Sequence, residues 1–258
     1  MKLLLIDVGN TQTVIGRDVD RRLKTWRLST QAGRTADEYR LLLDSLLGPS
    51  LDVFDGAAIS SVVPPATVAM REAVAALTGT TPVVIGPGTR TGMPLRVDNP
   101  REVGADRIVN ALGAVARYGA PVVTIDFGTA TTVDLVGFEG EYRGGAIAPG
   151  IQVAADALVR ATAALRRVDI VAPAHAAGRS TVEAIQSGLV FGYAGLVEGL
   201  IERVLAEAGL SDEVPLVATG GLAGVVVEQC SRPIRLDSEL TLRGLRVAWE
   251  RNAPPGSG

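Results

Sequence analysis

A chain of 258 residues, 47% hydrophobic and 21% charged, can bury a core as one large domain or as two halves. Net charge is −3 without a long basic run, which argues against a nucleic-acid partner, and no run approaches the roughly 18 apolar residues that span a membrane. The single cysteine, Cys230, excludes an intrachain disulfide and a cysteine metal cluster; it reads as a small buried apolar residue in a reducing, cytoplasmic setting.

Lys2 to Asp7 reads as a buried first strand. It is too short for a signal peptide and carries an acid. Thr13 to Arg17 is its hairpin partner, and Arg22 to Leu28 a third strand. Thr35-Ala36-Asp37-Glu38 is a capping box ahead of a helix that Gly48-Pro49 stops. A strand over Ala57 to Val63, a helix from Pro64-Pro65 to Thr78-Gly79 and a short strand over Pro82 to Ile85 follow. The order is βββαβαβ, an α/β pattern.

Gly86 to Pro100 reads as a loop leading to Arg101-Glu102-Val103-Gly104-Ala105-Asp106-Arg107. The stripe Ile108, Val109, Leu112 and Val115 then continues a helix to Tyr118-Gly119. Asp106 and Arg107 sit at its start, where a solvated helix cap and a working pair are equally open readings.

The second half opens on Ile125-Asp126-Phe127-Gly128-Thr129-Ala130-Thr131-Thr132, set between the apolar runs Val122 to Ile125 and Val133 to Val136. This is a hairpin whose turn carries Asp, Gly and Thr. Turn geometry alone accounts for those residue types; the functional alternative is that the glycine admits a phosphate to the backbone N–H groups, hydroxyls add donors, and the acid holds a cation or its water. The N-terminal Ile6-Asp7-Val8-Gly9-Asn10-Thr11-Gln12-Thr13-Val14 repeats the pattern at an offset near half the chain. Glu141 to Arg143 reads as a short strand before Gly144-Gly145-Ala146-Ile147-Ala148-Pro149-Gly150, whose small residues suggest close approach of a ligand or a neighbouring strand. Ile151 to Leu165 reads as helix and Arg166 to Arg179 as irregular chain, including the lone His175, which receives no role. Ser180-Thr181-Val182-Glu183 is a second capping box. It starts a long helix broken by Gly188, Gly192 and Gly195, whose glycines hint at an interface. Pro215 to Thr219 is a strand running into Gly220-Gly221 and a helix over Leu222 to Gln229, which reads as a seat for an anion or a nucleotide edge, or nearly as well as a plain tight turn. Ile234 to Leu236 is a strand, and Leu240 to Arg251 the last helix.

Two hairpins with Asp-x-Gly, a late Gly-Gly turn and an Asp-Arg pair predict two duplicated α/β halves, 1–115 and 116–252, facing across a nucleotide cleft, with a disordered tail at 253–258. The arrangement resembles the actin-like ATPases and sugar kinases, whose halves are ribonuclease-H-like. Asp7 to Thr11, Gly104 to Arg107, Asp126 to Thr131, Gly144 to Gly150, Ser180 to Gly188 and Thr219 to Gly221 resemble, in that order, the motifs of type III pantothenate kinase.

The resemblance implies ATP-dependent phosphorylation of pantothenate, the first step of coenzyme A synthesis. It implies a homodimer, magnesium, and potassium or ammonium as a monovalent cation. It assigns ATP phosphates to Asp7, Val8, Gly9, Asn10, Thr11, Gln12, Thr13 and Val14, with Asp7 on magnesium. Thr129, Gly220 and Gly221 fall to ATP and Asp126 to the monovalent cation. Gly104, Ala105, Asp106 and Arg107 would bind pantothenate, with Asp106 as proton acceptor. Thr181 would reach pantothenate in the partner subunit. Two positions depart from the family pattern: Val97 stands where a tyrosine is usual, and Leu165-Arg166 where Leu-Pro is usual. The alternatives are a kinase with another small acceptor and a non-catalytic regulatory relative.

Overall fold

The computed structural model describes residues 1–48, 54–162 and 165–253. The chain forms two compact units, 1–117 with 239–258 and 118–238.

The first unit opens on β1 (Lys2–Val8), β2 (Gln12–Val19) and β3 (Arg22–Ser29), an antiparallel meander. Helix α1 (Ala36–Leu47) follows. Its predicted capping box is complete: Thr35 accepts from the Glu38 N–H, and Glu38 accepts from the Thr35 N–H at 2.7 Å. Then come β4 (Gly56–Ser61), α2 (Pro64–Thr78) and β5 (Val83–Val84). Strands β4 and β5 join β1 in parallel, so the sheet reads β3-β2-β1-β4-β5. One face buries Leu4, Ile6, Val8, Ile15 and Ile59 against α1 and α2. Helix α3 (Ala105–Tyr118) closes the continuous part of this unit.

The second unit repeats the plan. Antiparallel β6 (Val122–Phe127), β7 (Ala130–Val136) and β8 (Tyr142–Pro149) precede α4 (Ile151–Ala161) and α5 (Thr181–Glu207). Parallel strands β9 (Leu216–Thr219) and β10 (Arg235–Leu236) flank the short α6 (Ala223–Val227). The sheet order β8-β7-β6-β9-β10 is that of the first unit, element for element.

The last helix, α7 (Leu240–Asn252), departs from the predicted division. It belongs to the first unit, not the second, and packs on β1 and β4. Gly16 and Gly56 leave room for it: a Cβ on Gly16 would stand 2.7 Å from Leu242, and one on Gly56 would strike the Trp249 ring. The buried Arg246 guanidinium meets Asp18 of β2 at 2.6 Å. Gly244 lies against the Val109 carbonyl of α3, so the two helices cross at backbone contact.

Three further expectations are corrected. Strand β8 runs to Pro149, through Gly144 and Gly145, because both are paired to β7; a Cβ on Gly145 would strike the Val133 carbonyl. Helix α5 is unbroken through its glycines. Leu189, Val190, Tyr193, Val197 and Ile201 enter the second unit's core, and that burial outweighs about 1 kcal/mol per glycine. Helix α4 ends at Ala161, short of Leu165, while residues 163–164 and the predicted tail from 254 lie outside the described residues, as does Pro49.

Candidate active site

In the first unit the Asp7 segment forms the β1–β2 hairpin. Gly9 N–H donates to the Gln12 carbonyl at 3.0 Å, which turns the chain and leaves Asn10, Thr11 and Gln12 exposed. Thr13 is buried, with its hydroxyl 2.9 Å from that of Thr30. Asp7 lies one residue before the strand end and pairs with Val14 on one side and Ser60 on the other.

Asp106 sits in the first turn of α3 and folds back on it: its Oδ1 accepts from the Arg107 N–H at 2.8 Å. A carboxylate here is favoured by the helix dipole. Gly104 makes the fold-back possible, since a Cβ there would stand 2.5 Å from that same oxygen. The approach to α3 is built by Asn99. Its side chain accepts from Arg101 N–H at 3.3 Å and donates to Glu102 at 2.6 Å, tightening a 3-10 turn over Pro100–Glu102 that the sequence reading missed.

The same unit holds a cavity of 910 Å³ lined by Ser61, Val62, the Ile85–Thr89 turn, Leu95 and the Pro100–Ala105 segment. Thr89 fixes the far wall by accepting from Gly86 N–H and donating to the Val84 carbonyl, both at 3.0 Å. Val62 N–H donates to the Val8 carbonyl at 3.1 Å. The Ser61-Val62 segment, bonded to the end of the Asp7 strand, and the Gly104-Ala105 motif therefore border one cavity. Its volume and mixed lining suit a small polar molecule with an alkyl portion. Val97 is half-buried and is not among the lining residues.

In the second unit three glycines converge on the Asp126 hairpin. Gly128 N–H donates to the Ala130 carbonyl at 3.0 Å and leaves Gly128 and Thr129 at an exposed tip. Gly150 N–H donates to the Thr129 carbonyl at 3.0 Å, and a Cβ on Gly150 would come within 2.7 Å of the Thr129 carbonyl carbon. Gly220, at φ +100°, lies against the Phe127 backbone, where a Cβ would stand 2.6 Å from the carbonyl oxygen. Asp126 pairs with Thr132 and with Thr219, repeating the slot that Asp7 holds beside Ser60. Gly221 follows at the exposed turn.

Thr181 is exposed at the N-terminus of α5. The second box is only half formed: Ser180 accepts from Glu183 N–H, whereas Glu183 accepts from Arg179 N–H. Tyr193, twelve residues on, donates to the Pro149 carbonyl at 2.7 Å, so Thr181 stands about 18 Å along the helix from that anchor. His175 is exposed. Arg166 lines a smaller cavity of 240 Å³ between α4 and the segment after it, with Arg167 3.3 Å from Asp156.

Among the described residues no group of three or more His, Cys, Asp or Glu could hold a metal ion. Magnesium usually takes one or two carboxylates plus phosphate oxygens and water, so a lone hairpin acid such as Asp7 fits it. Ser60 Oγ, buried and without a hydrogen-bond partner among the described residues, lies in register beside that acid and adds an oxygen that can accept from a cation's bound water.

Two α/β units of one topology, each with an Asp-x-Gly hairpin at the end of its first strand, define an actin-like ATPase or sugar-kinase fold. Solved structures agree. A polyphosphate/ATP-glucomannokinase from Arthrobacter matches at a TM-score of 0.52 and 18% identity over 97% of this chain and 98% of its own. A Campylobacter jejuni protein assigned to the Baf family of transcriptional activators matches at 0.60 and 18%, over 96% and 98%. The family model for type III pantothenate kinase matches residues 3–203. The type III pantothenate kinases of Moorella thermoacetica and Syntrophotalea carbinolica are 48% and 46% identical, each over 97% of this chain and 99% of theirs. The chain belongs to the type III pantothenate kinase family.

Proposed function

We propose that this chain transfers the γ-phosphoryl group of ATP to the primary hydroxyl of pantothenate, giving 4'-phosphopantothenate for coenzyme A synthesis. The observation that carries the reading is the shared cavity wall: Gly104-Ala105 and the Ser61-Val62 segment bonded to the Asp7 strand line one space.

In this reading Asp7 to Val14 receive the ATP phosphates and Asp7 the magnesium. Thr129, Gly220 and Gly221 are ATP contacts. Pantothenate takes Gly104 to Arg107, where Arg107 supplies charge for its carboxylate. The hydroxyl oxygen bonds to the γ-phosphorus, the bond from that phosphorus to the β-phosphate oxygen breaks, and ADP leaves. Asp106 accepts the hydroxyl proton. Transfer of this kind depends chiefly on positioning and charge neutralisation, so the fold-back of Asp106 onto α3 orients it as much as it makes it a base. Magnesium, when bound, neutralises charge on the phosphates. Asp126, with Thr132 and Thr219 in register beside it, offers oxygen ligands to potassium or ammonium.

A homodimer completes the reading. Gly188, Gly192 and Gly195 line an exposed α5 face where a Cβ would meet nothing within 4 Å, and Ile147 and Val182 are exposed by 64% and 50%. A second copy packed there would cover them and bring Thr181 to its partner's pantothenate. The proposed setting is cytoplasmic. No helix among the described residues is long and apolar enough to cross a membrane.

The test is ATP consumption by the purified chain with magnesium and potassium, with and without pantothenate, alongside mass detection of the phosphorylated product. Pantothenate-dependent consumption with product is expected. ATP consumption that ignores pantothenate, or silence in both arms, overturns the reading.

A further inference from the structure

Strand β4 ends on two serines with different surroundings. Ser61 Oγ accepts from the Thr67 hydroxyl at 2.6 Å and from Val63 N–H at 3.1 Å, and so fixes the entry into α2. Ser60 is wholly buried, and its Oγ has no hydrogen-bond partner among the described residues. A buried hydroxyl left unpaired lowers stability, so its retention calls for a reason. Packing gives none, because β4 already uses alanine at the buried positions 57 and 58.

Register points to the reason. Ser60 pairs with Asp7 across the parallel β1–β4 ladder, so both side chains leave the same face of the sheet. The alternate residues Ile6, Val8 and Ile59 leave the other face, into the core with α1 and α2. The duplicated unit keeps the same arrangement, with Thr219 beside Asp126. A hydroxyl next to the hairpin acid occurs in both units, at matching places in sheets of matching order.

We propose that Ser60 is a positioning residue for nucleotide: its Oγ donates a hydrogen bond to the Asp7 carboxylate in the complex with magnesium and ATP, holding that carboxylate in one orientation. The proposal rests on the reading of Asp7 as the acid on the magnesium side. A hydrogen bond to an ionised acceptor is stronger than one between neutral groups, so its loss is expected to weaken metal-dependent binding by about tenfold or more.

The test uses the full chain, Ser60→Ala and Ser60→Thr, the latter borrowing the residue of the other unit's slot. A non-hydrolysable ATP analogue is titrated calorimetrically with magnesium and with EDTA, and thermal midpoints are recorded. For Ser60→Ala the expected result is a midpoint unchanged or raised, metal-free affinity unchanged, and magnesium-dependent affinity down about tenfold, with Ser60→Thr restoring most of it. Wild-type magnesium dependence in Ser60→Ala overturns the proposal and leaves the reading of Asp7 standing. So does a lowered midpoint with both affinities reduced alike, the mark of a structural serine. Should wild type bind the analogue equally with and without magnesium, the reading of Asp7 itself fails, and the role of Ser60 with it.

Discussion

Gly220 and Phe127 lie in backbone contact. With Gly220 in the left-handed region at φ +100°, a Cβ there would stand 2.6 Å from the Phe127 carbonyl carbon and oxygen and 2.7 Å from its nitrogen. Strand β9 thus delivers its glycine turn directly onto the end of β6, one residue past Asp126. Gly220→Ala combines unfavourable backbone with a clash against backbone that cannot rotate away, a penalty of at least about 1–3 kcal/mol. The expected outcome is a clear loss of ATP-analogue affinity together with a lower thermal midpoint, read by calorimetry and by thermal melting. An alanine variant that keeps both at wild-type values would show that the turn tolerates a side chain.

Asp106 sets the second prediction. Asp106→Asn keeps the size of the side chain and its contact with the α3 N-terminus but removes the proton acceptor. Turnover is expected to fall by about 10²–10⁴-fold while ATP-analogue affinity holds. Gly104→Ala approaches the same carboxylate from outside, because its new Cβ would crowd Asp106 Oδ1. It should lower turnover without unfolding the chain. Full turnover in Asp106→Asn would remove the residue from the chemistry.

The local placement of the candidate residues was legible in the sequence because they sit where strand ends and helix starts demand special chemistry. Asp-x-Gly at the end of an apolar strand, Gly-Gly after another and Asp in a first helical turn each carry a local signal, and the two hairpins repeat. What escaped depends on contacts distant in sequence. The predicted strand stops at Arg143, and Gly144 and Gly145 leave open whether a ligand or a neighbouring strand comes close; it is β7, which pairs with them and extends the strand to Pro149. The apolar stripe of α7 says that the helix covers a sheet, but not which one; Gly16 and Gly56, more than 180 residues away, make the seat. Ser60 looked like any strand residue, and only its register with Asp7, matched by Thr219 with Asp126, sets it apart.

The seat of α7 leads to a stability prediction. Arg246 joins Asp18 at 2.6 Å, with side-chain exposures of 10% and 2%. Removing one partner of a buried pair leaves the other charge uncompensated, at a cost of about 3–5 kcal/mol. Arg246→Met should therefore destabilise the first unit, and adding Asp18→Asn should recover part of the loss. Trp26 and Trp249 are the only tryptophans and both lie in that unit, so their fluorescence in a urea titration reports its unfolding. Additive losses in the double variant would show that the pair does not couple.

Cys230 is half-buried, and burial, followed by the Glu198 carboxylate, pushes its thiol from an ordinary value near 9.0 up to about 11. The native chain therefore keeps a proton that the unfolded chain loses first. This contribution to stability is complete below about pH 9 and is lost as pH rises from there through 11. At pH 8 the native thiol is expected to react with an aromatic disulfide reagent about a hundredfold more slowly than the urea-unfolded chain. Equal rates would mean that the side chain is neither shielded nor shifted.

The proposed function gives the two hairpin acids different ions. Asp126 shares its sheet face with Thr132 and Thr219, a set of one carboxylate and two hydroxyl oxygens, whereas Asp7 has Val14 and Ser60 in the corresponding slots. The two slots carry the same single carboxylate and differ by one hydroxyl oxygen, and the proposed function gives the singly charged ion to the oxygen-richer set at Asp126 and magnesium, whose shell the ATP phosphates complete, to Asp7. Replacing potassium by tetramethylammonium, at constant ionic strength and with magnesium retained, should cut wild-type turnover, and ammonium should restore it. Asp126→Asn should turn over at the low level in every salt while keeping the wild-type response to a magnesium titration. If the variant instead loses its magnesium response and still answers to potassium, the two acids have exchanged roles.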